Sequence, residues 1–78
     1  MWKEEKEMER IPVDSSNIAS VGYDVESSTL EIEFNNGAIY QYSGVPENEY
    51  TGLMSASSKG SYLNEHIKKA GYPYTRVS

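Results

Sequence analysis

Between Ile18 and Tyr42 apolar and polar residues alternate with period two, the signature of strands half-buried against a core. In IASVGYDV the apolar set is Ala19, Val21, Tyr23 and Val25, with Ser20, Gly22 and Asp24 opposite. Ser27-Ser28 marks a turn. TLEIEF then places Leu30, Ile32 and Phe34 on one face and Glu31 and Glu33 on the other. Asn36-Gly37 is a strong hairpin signal, because both residues tolerate positive φ, and AIYQYS supplies a third strand. These runs predict a three-stranded antiparallel β-meander.

The length of the hairpin loop decides which way the third strand faces. A two-residue turn at Asn36-Gly37 pairs residue 34 with 39, turns Ile39 and Gln41 inward and leaves Tyr40 and Tyr42 beside Glu31 and Glu33. A three-residue loop, Asn35-Asn36-Gly37 ending in a glycine bulge, pairs 34 with 38. Ala38, Tyr40 and Tyr42 then join Leu30, Ile32 and Phe34. One residue of slip flips the whole strand. Segregation of apolar from polar residues favours the three-residue loop; the alternative stands both rings in solvent.

Beyond the third strand the period becomes helical. Pro46 suits the first turn of a helix, where its missing N–H costs nothing. Glu47 and Glu49 then lie near the positive end of the helix dipole. Tyr50, Leu53 and Met54 form one apolar stripe, weakened by Gly52. Ser57 and Ser58 stop this helix and can cap a second. Its stripe is Leu63, Ile67 and Ala70, flanked by Tyr62 and His66 and closed by Gly71. Pro73 bars helix in the tail YPYTRV, which reads as an extended segment over the surface. The expected fold class is α+β: a three-stranded meander followed by two short helices packed on one face, β-β-β-α-α. The first ten residues, MWKEEKEMER, read as a poorly ordered or frayed helical extension to a single domain over residues 11–78.

Composition narrows the function more by exclusion than by indication. Seventy-eight residues allow one modest core and leave little room for a deep enzyme cleft. There is no cysteine, so disulfides and thiolate metal sites are excluded. The charged amino terminus lacks a signal-peptide core and no apolar run reaches the ~18 residues of a membrane span. The expectation is a cytoplasmic protein with no membrane partner. A net charge of −5 argues against general nucleic-acid binding, but the charge is unevenly spread. Residues 1–58 carry three basic and eleven acidic side chains, a balance of −8. Lys59, Lys68, Lys69 and Arg76 against Glu65 give the remainder +3.

Several groups invite a chemical reading. Ser57, Ser58, Lys59 and Gly60 lack the two framing glycines of a P-loop; they form either a serine cap or a loose phosphate cradle. His66 is the single histidine, and one imidazole among scattered carboxylates makes neither a metal site nor a catalytic set. Neither an enzyme nor a cofactor is expected. Asn64 reads as a structural hydrogen-bonder returning to a loop. Glu31 and Glu33 read as solubilising carboxylates on an exposed face. Tyr62, Tyr72 and Tyr74 lie among basic residues, the ingredients of single-stranded nucleic-acid binding. The simpler reading is that they pin the tail across the sheet, with Pro73 stiffening the segment.

SSNIASVGYD, LEIEFNNGAIYQYSGVP, SSKGSYLNEHIK and YPY occur in one order, and together they resemble the KTSC domain. That small bacterial and phage domain is named for the carboxyl-terminal region of some lysyl-tRNA synthetases. The resemblance spans roughly residues 11–78. It rests on the pair Tyr40 and Tyr42, on Ser16, Asn17, Ile18 and Tyr23, on Gly44 to Pro46, and on Ser58, Lys59, Gly60, Tyr62, Asn64 and Ile67. It implies no catalytic residues, and it implies RNA, tRNA-like or single-stranded, as a partner. The expectation is therefore a non-enzymatic binding module contacting RNA through Lys59, Lys68, Lys69 and Arg76, with Tyr62 and Tyr74 stacking. Tyr40, Tyr42 and Asn64 are expected to be structural. The alternative is a protein-interaction module that docks a partner on the acidic sheet face or a sheet edge.

Overall fold

A computed structural model describes residues 9–78. Its centre is one antiparallel sheet of five strands in sequence order: β1 (Ile11–Pro12), β2 (Ile18–Asp24), β3 (Thr29–Phe34), β4 (Ile39–Tyr42) and β5 (Tyr74–Arg76). The fold class is α+β as expected, but the meander is extended by one short strand on each side. Both additions escape a periodicity argument. β1 is two residues long and contains Pro12, which an edge strand tolerates because one side of it needs no N–H donor. β5 was expected to lie over the surface; instead it pairs with β4. Ser43 N donates to Pro73 O at 2.8 Å and Val77 N to Ile39 O at 2.8 Å, so ladder bonds flank the strand.

The hairpin takes the three-residue loop. Leu30 lies opposite Tyr42 and Ile32 opposite Tyr40, while Phe34 N donates to Ala38 O at 2.8 Å. Gly37, at φ 93°, occupies the left-handed position that closes such a loop. The tyrosine pair therefore shares the face of Leu30 and Ile32. Strand β2 departs from simple alternation through a bulge between Ile18 and Ser20. Ile18, rather than Ala19, is thereby turned into the core and is fully buried. Val25 leaves the apolar face altogether, because the strand ends at Asp24, whose carboxylate accepts from Glu26 N and Ser27 Oγ in a tight turn.

Helix α1 (Glu47–Ser55) follows Pro46, which stands at the N-cap, one place earlier than a first-turn proline. Helix α2 (Lys59–Tyr62) is capped by Ser58, whose hydroxyl accepts from Ser61 N, and widens at once into a π-helical stretch, Leu63–Lys68. Leu53, Leu63 and Ile67 bury against Ile18, Val21, Leu30, Ile32 and Val45. Both helices thus cover one face, as the stripes predict. Ala70 is exposed: the helical stretch ends before it, in the turn that leads to Gly71.

The other face is not an open acidic surface. Arg10 crosses it, pairing with Glu31 and donating from Nε to Ser20 Oγ at 3.0 Å; Ser20 in turn donates to Glu33 Oε1 at 2.7 Å. Gln41 Nε2 donates to the other Glu31 oxygen at 2.8 Å. Glu31 is consequently 5% exposed. A buried carboxylate needs such partners, so Glu31 is a structural anion and not the solubilising one expected. Arg10, placed by its sequence in a loose extension, belongs to the fold; residues 1–8 of that extension lie outside the described residues.

Candidate functional site

The helices stop short of one end of the sheet's inner face. There the floor is built by Phe34, Ala38, Tyr40 and Tyr42 from β3, β4 and the hairpin between them. After Lys68 the chain turns through Gly71, at φ 84°, and returns as Tyr72, Pro73 and β5. The β4–β5 register sets Tyr74 opposite Tyr42 and Arg76 opposite Tyr40, and directly paired residues project to the same face. The result is an open groove of about 860 Å³. Five aromatic rings line it: Phe34, Tyr40, Tyr42, Tyr72 and Tyr74. Tyr74 lies 5.6 Å from Tyr40 and 5.7 Å from Tyr42 between ring centroids, and Phe34 meets Tyr40 edge-on at 5.8 Å. Tyr42 is sunk into the core, Tyr40 is half-buried and Tyr74 is 62% exposed, so the rings rise stepwise from core to solvent.

Among the described residues charge in the groove is of one sign: Lys68 and Arg76 line it, and no carboxylate does. The Lys68 ammonium sits 5.4 Å from the Phe34 ring centroid, a cation–π distance. Arg76 Nε donates to the main-chain oxygen of Ser78 at 2.9 Å, which orients the guanidinium and, among the described residues, leaves its other donors available. Burial, then the neighbouring Tyr40 and Tyr74 hydroxyls, push the Tyr42 phenol above its ordinary value, so it stays a neutral donor.

Beyond Lys68 lies a second, strongly polar recess of about 560 Å³. Its walls are the loop Asp14–Asn17 and the segment from Ser57 to Asn64, with Lys68 common to both cavities. Ser15 Oγ accepts from Asn17 N and Ile18 N, and Asn35 Nδ2 donates to the carbonyls of Ser15 and Ser16, so that loop is held rigidly. A Cβ at Gly60 would come 3.1 Å from Asn17 Nδ2; glycine there lets loop and helix close on each other.

Of the residues expected to contact RNA, the structure brings Lys68, Tyr74 and Arg76 to the groove. It does not bring the others. Tyr62 lies against Gly52 of α1, stacks on His66 at 4.1 Å and donates its hydroxyl to Glu49 Oε1 at 2.7 Å. That hydrogen bond, more than burial, raises its pKa. Lys69 pairs with Glu65 on the solvent side at 3.3 Å. Lys59 lines the polar recess, but its ammonium donates to Ala56 O at 3.1 Å, closing the end of α1. Asn64 opens onto the recess, and among the described residues its side chain returns no hydrogen bond to a loop. Sequence reasoning passed over Phe34, Ala38 and the two motif tyrosines as site residues, since nothing in the strand pattern shows where the helices end. Among the described residues no three His, Cys, Asp or Glu side chains gather as metal ligands, and no helix is long and apolar enough to cross a membrane.

Comparison with known proteins decides the family. A sequence model of the KTSC domain matches residues 14–72. The chain belongs to the KTSC domain family. A KTSC domain protein from Yersinia pestis, known from a crystal structure, superposes with a TM-score of 0.84 at 42% identity, over 92% of this chain and 100% of that one. An uncharacterized protein of Stutzerimonas stutzeri is 40% identical over 90% of this chain and 99% of its own length. A lysine–tRNA ligase of Nostoc punctiforme is 38% identical over 70% of this chain, which spans only 10% of that enzyme. Ser16, Asn17, Ser58, Lys59, Gly60 and Asn64, far apart in sequence, all meet at the polar recess.

Proposed function

We propose that this KTSC domain is a non-enzymatic module that binds single-stranded RNA in the aromatic groove. The observation that carries this reading is the composition of the groove wall. In a chain of net charge −5, it combines Tyr40, Tyr72 and Tyr74 with two cations and, among the described residues, no carboxylate. Rings provide stacking surfaces for unpaired bases, and Lys68 and Arg76 provide the phosphate contacts that keep a strand in place. A duplex has no free base face to offer such a groove. The occurrence of matching segments in lysine–tRNA ligases supports the same class of partner. The overall negative charge makes the binding weak and salt-sensitive.

The protein-docking alternative draws less support from the geometry. The acidic sheet face is occupied by Arg10 and its hydrogen-bond network, which leaves the two short edges, β1 and β5, for docking.

Fluorescence anisotropy of a labelled single-stranded RNA across a salt series tests the proposal. Saturable binding at low salt that weakens as salt rises, and is abolished by Lys68→Glu with Arg76→Glu, is the expected result. Absence of binding at low salt, or binding indifferent to that double substitution, overturns it.

A further inference from the structure

Lys68 lines both cavities, so a strand whose base occupies the aromatic groove and whose phosphate meets Lys68 continues directly into the polar recess. The recess is not built for a bare anion. Alongside Lys59 and Lys68 it presents the carboxylate of Asp14, which repels phosphate and accepts only from hydroxyl or N–H donors. The amides of Asn17 and Asn64 face the same space, each offering donor and acceptor. Among the described residues none of these three side chains is engaged in a hydrogen bond within the protein. A mixture of cation, carboxylate and amide matches a ribose with its adjoining phosphate. A carboxylate accepts a hydrogen bond from a ribose hydroxyl, as acidic residues do in dinucleotide sites. The 2′-hydroxyl is also the group by which a protein distinguishes RNA from DNA.

Resting on the RNA-binding reading above, we infer that the recess between the Asp14–Asn17 loop and the start of α2 is a ribose subsite. In it Asp14 accepts from a 2′-hydroxyl, giving the domain a preference for RNA over DNA. The Ser15 turn, which accepts from Asn17 N and Ile18 N, and the close approach of Asn17 to Gly60 hold Asn17 in position before the strand arrives, and Asp14 adjoins that turn in the chain.

The test compares three labelled octamers that share one base, oligouridylate, oligodeoxyuridylate and 2′-O-methyl oligouridylate, against the intact chain and Asp14→Ala. The expected result is that the ribose oligomer binds roughly tenfold tighter than the other two, the margin of one hydrogen bond to a charged acceptor. Asp14→Ala is expected to bring the three to equal affinity, with circular dichroism unchanged. If the intact chain binds ribose and deoxyribose oligomers equally, the ribose subsite is refuted while the groove reading stands. If the 2′-O-methyl oligomer binds as well as RNA, sugar pucker rather than Asp14 sets the preference, and the inference fails. If none of the oligomers binds, both readings fall together.

Discussion

The two ends of the sheet's inner face share one strand pattern and meet opposite fates. At one end Ile18, Val21, Leu30 and Ile32 lie under Leu53, Leu63 and Ile67, and every one of these side chains is all but fully buried. At the other end only Lys68, the last residue of the π-helical stretch, reaches over the same face, which carries Phe34, Tyr40 and Tyr42 with Tyr74 beside them on β5. Aliphatic side chains suit the sealed end because they have no polar atom to satisfy. Tyrosine suits the open end, where its ring packs on the core while its hydroxyl meets water. The difference explains the unusual preponderance of tyrosine, seven residues against one phenylalanine. Much of it marks the margin where core becomes surface.

Substitutions at the two ends should separate stability from binding. Ile32→Ala, in the sealed half, is expected to cost about 2–5 kcal/mol of stability through lost transfer energy and a residual cavity, read from the urea midpoint. Tyr74→Ala, in the open half, is expected to shift that midpoint little. It should nevertheless weaken RNA binding by ~1–3 kcal/mol, the contribution of one stacked base. A large stability loss with unchanged binding would break the contrast. Smaller effects should come from the cations. Lys68→Ala and Arg76→Ala are each expected to lower the slope of log affinity against log salt by about 0.7. Lys69→Ala, on the solvent side beside Glu65, should leave it unchanged.

The smallest expected effect is alkaline. Burial and the neighbouring hydroxyls raise the Tyr42 pKa in the folded chain above its ordinary 10.0. The folded state therefore holds that proton more tightly than the unfolded state. Its contribution is fully present below pH 10.0 and is lost as pH rises through the folded value. Tyr42→Phe should flatten the fall in urea midpoint above that pH, and Tyr62→Phe should do the same by removing the proton shared with Glu49.

Much of the fold was legible in the sequence because period-two alternation and helical stripes report burial directly. The hairpin register followed from apolar segregation, and Ser58 announced the cap of α2. The bulge that substitutes Ile18 for Ala19 was not legible, since a pattern read residue by residue assumes an unbroken register. Nor were the edge strands. Ile11–Pro12 is too short to show a period, and the signal at Pro73 excludes helix without revealing which strand the tail joins. That second omission hid the site, because β5 supplies one wall of the groove. Charge asymmetry drew attention to the carboxyl-terminal cations, but a count along the chain does not show which of them share a face. Arg76 and Lys68 do; Lys59 and Lys69 are engaged elsewhere.

Amide chemical-shift mapping with a short single-stranded RNA reports where the strand binds without any substitution. Perturbed amides are expected to cluster at Ala38 to Tyr42, Lys68, Tyr72 and Tyr74 to Arg76, around the groove. Shifts centred on the Arg10–Glu31 face, or no shifts at all at low salt, would contradict binding in the groove.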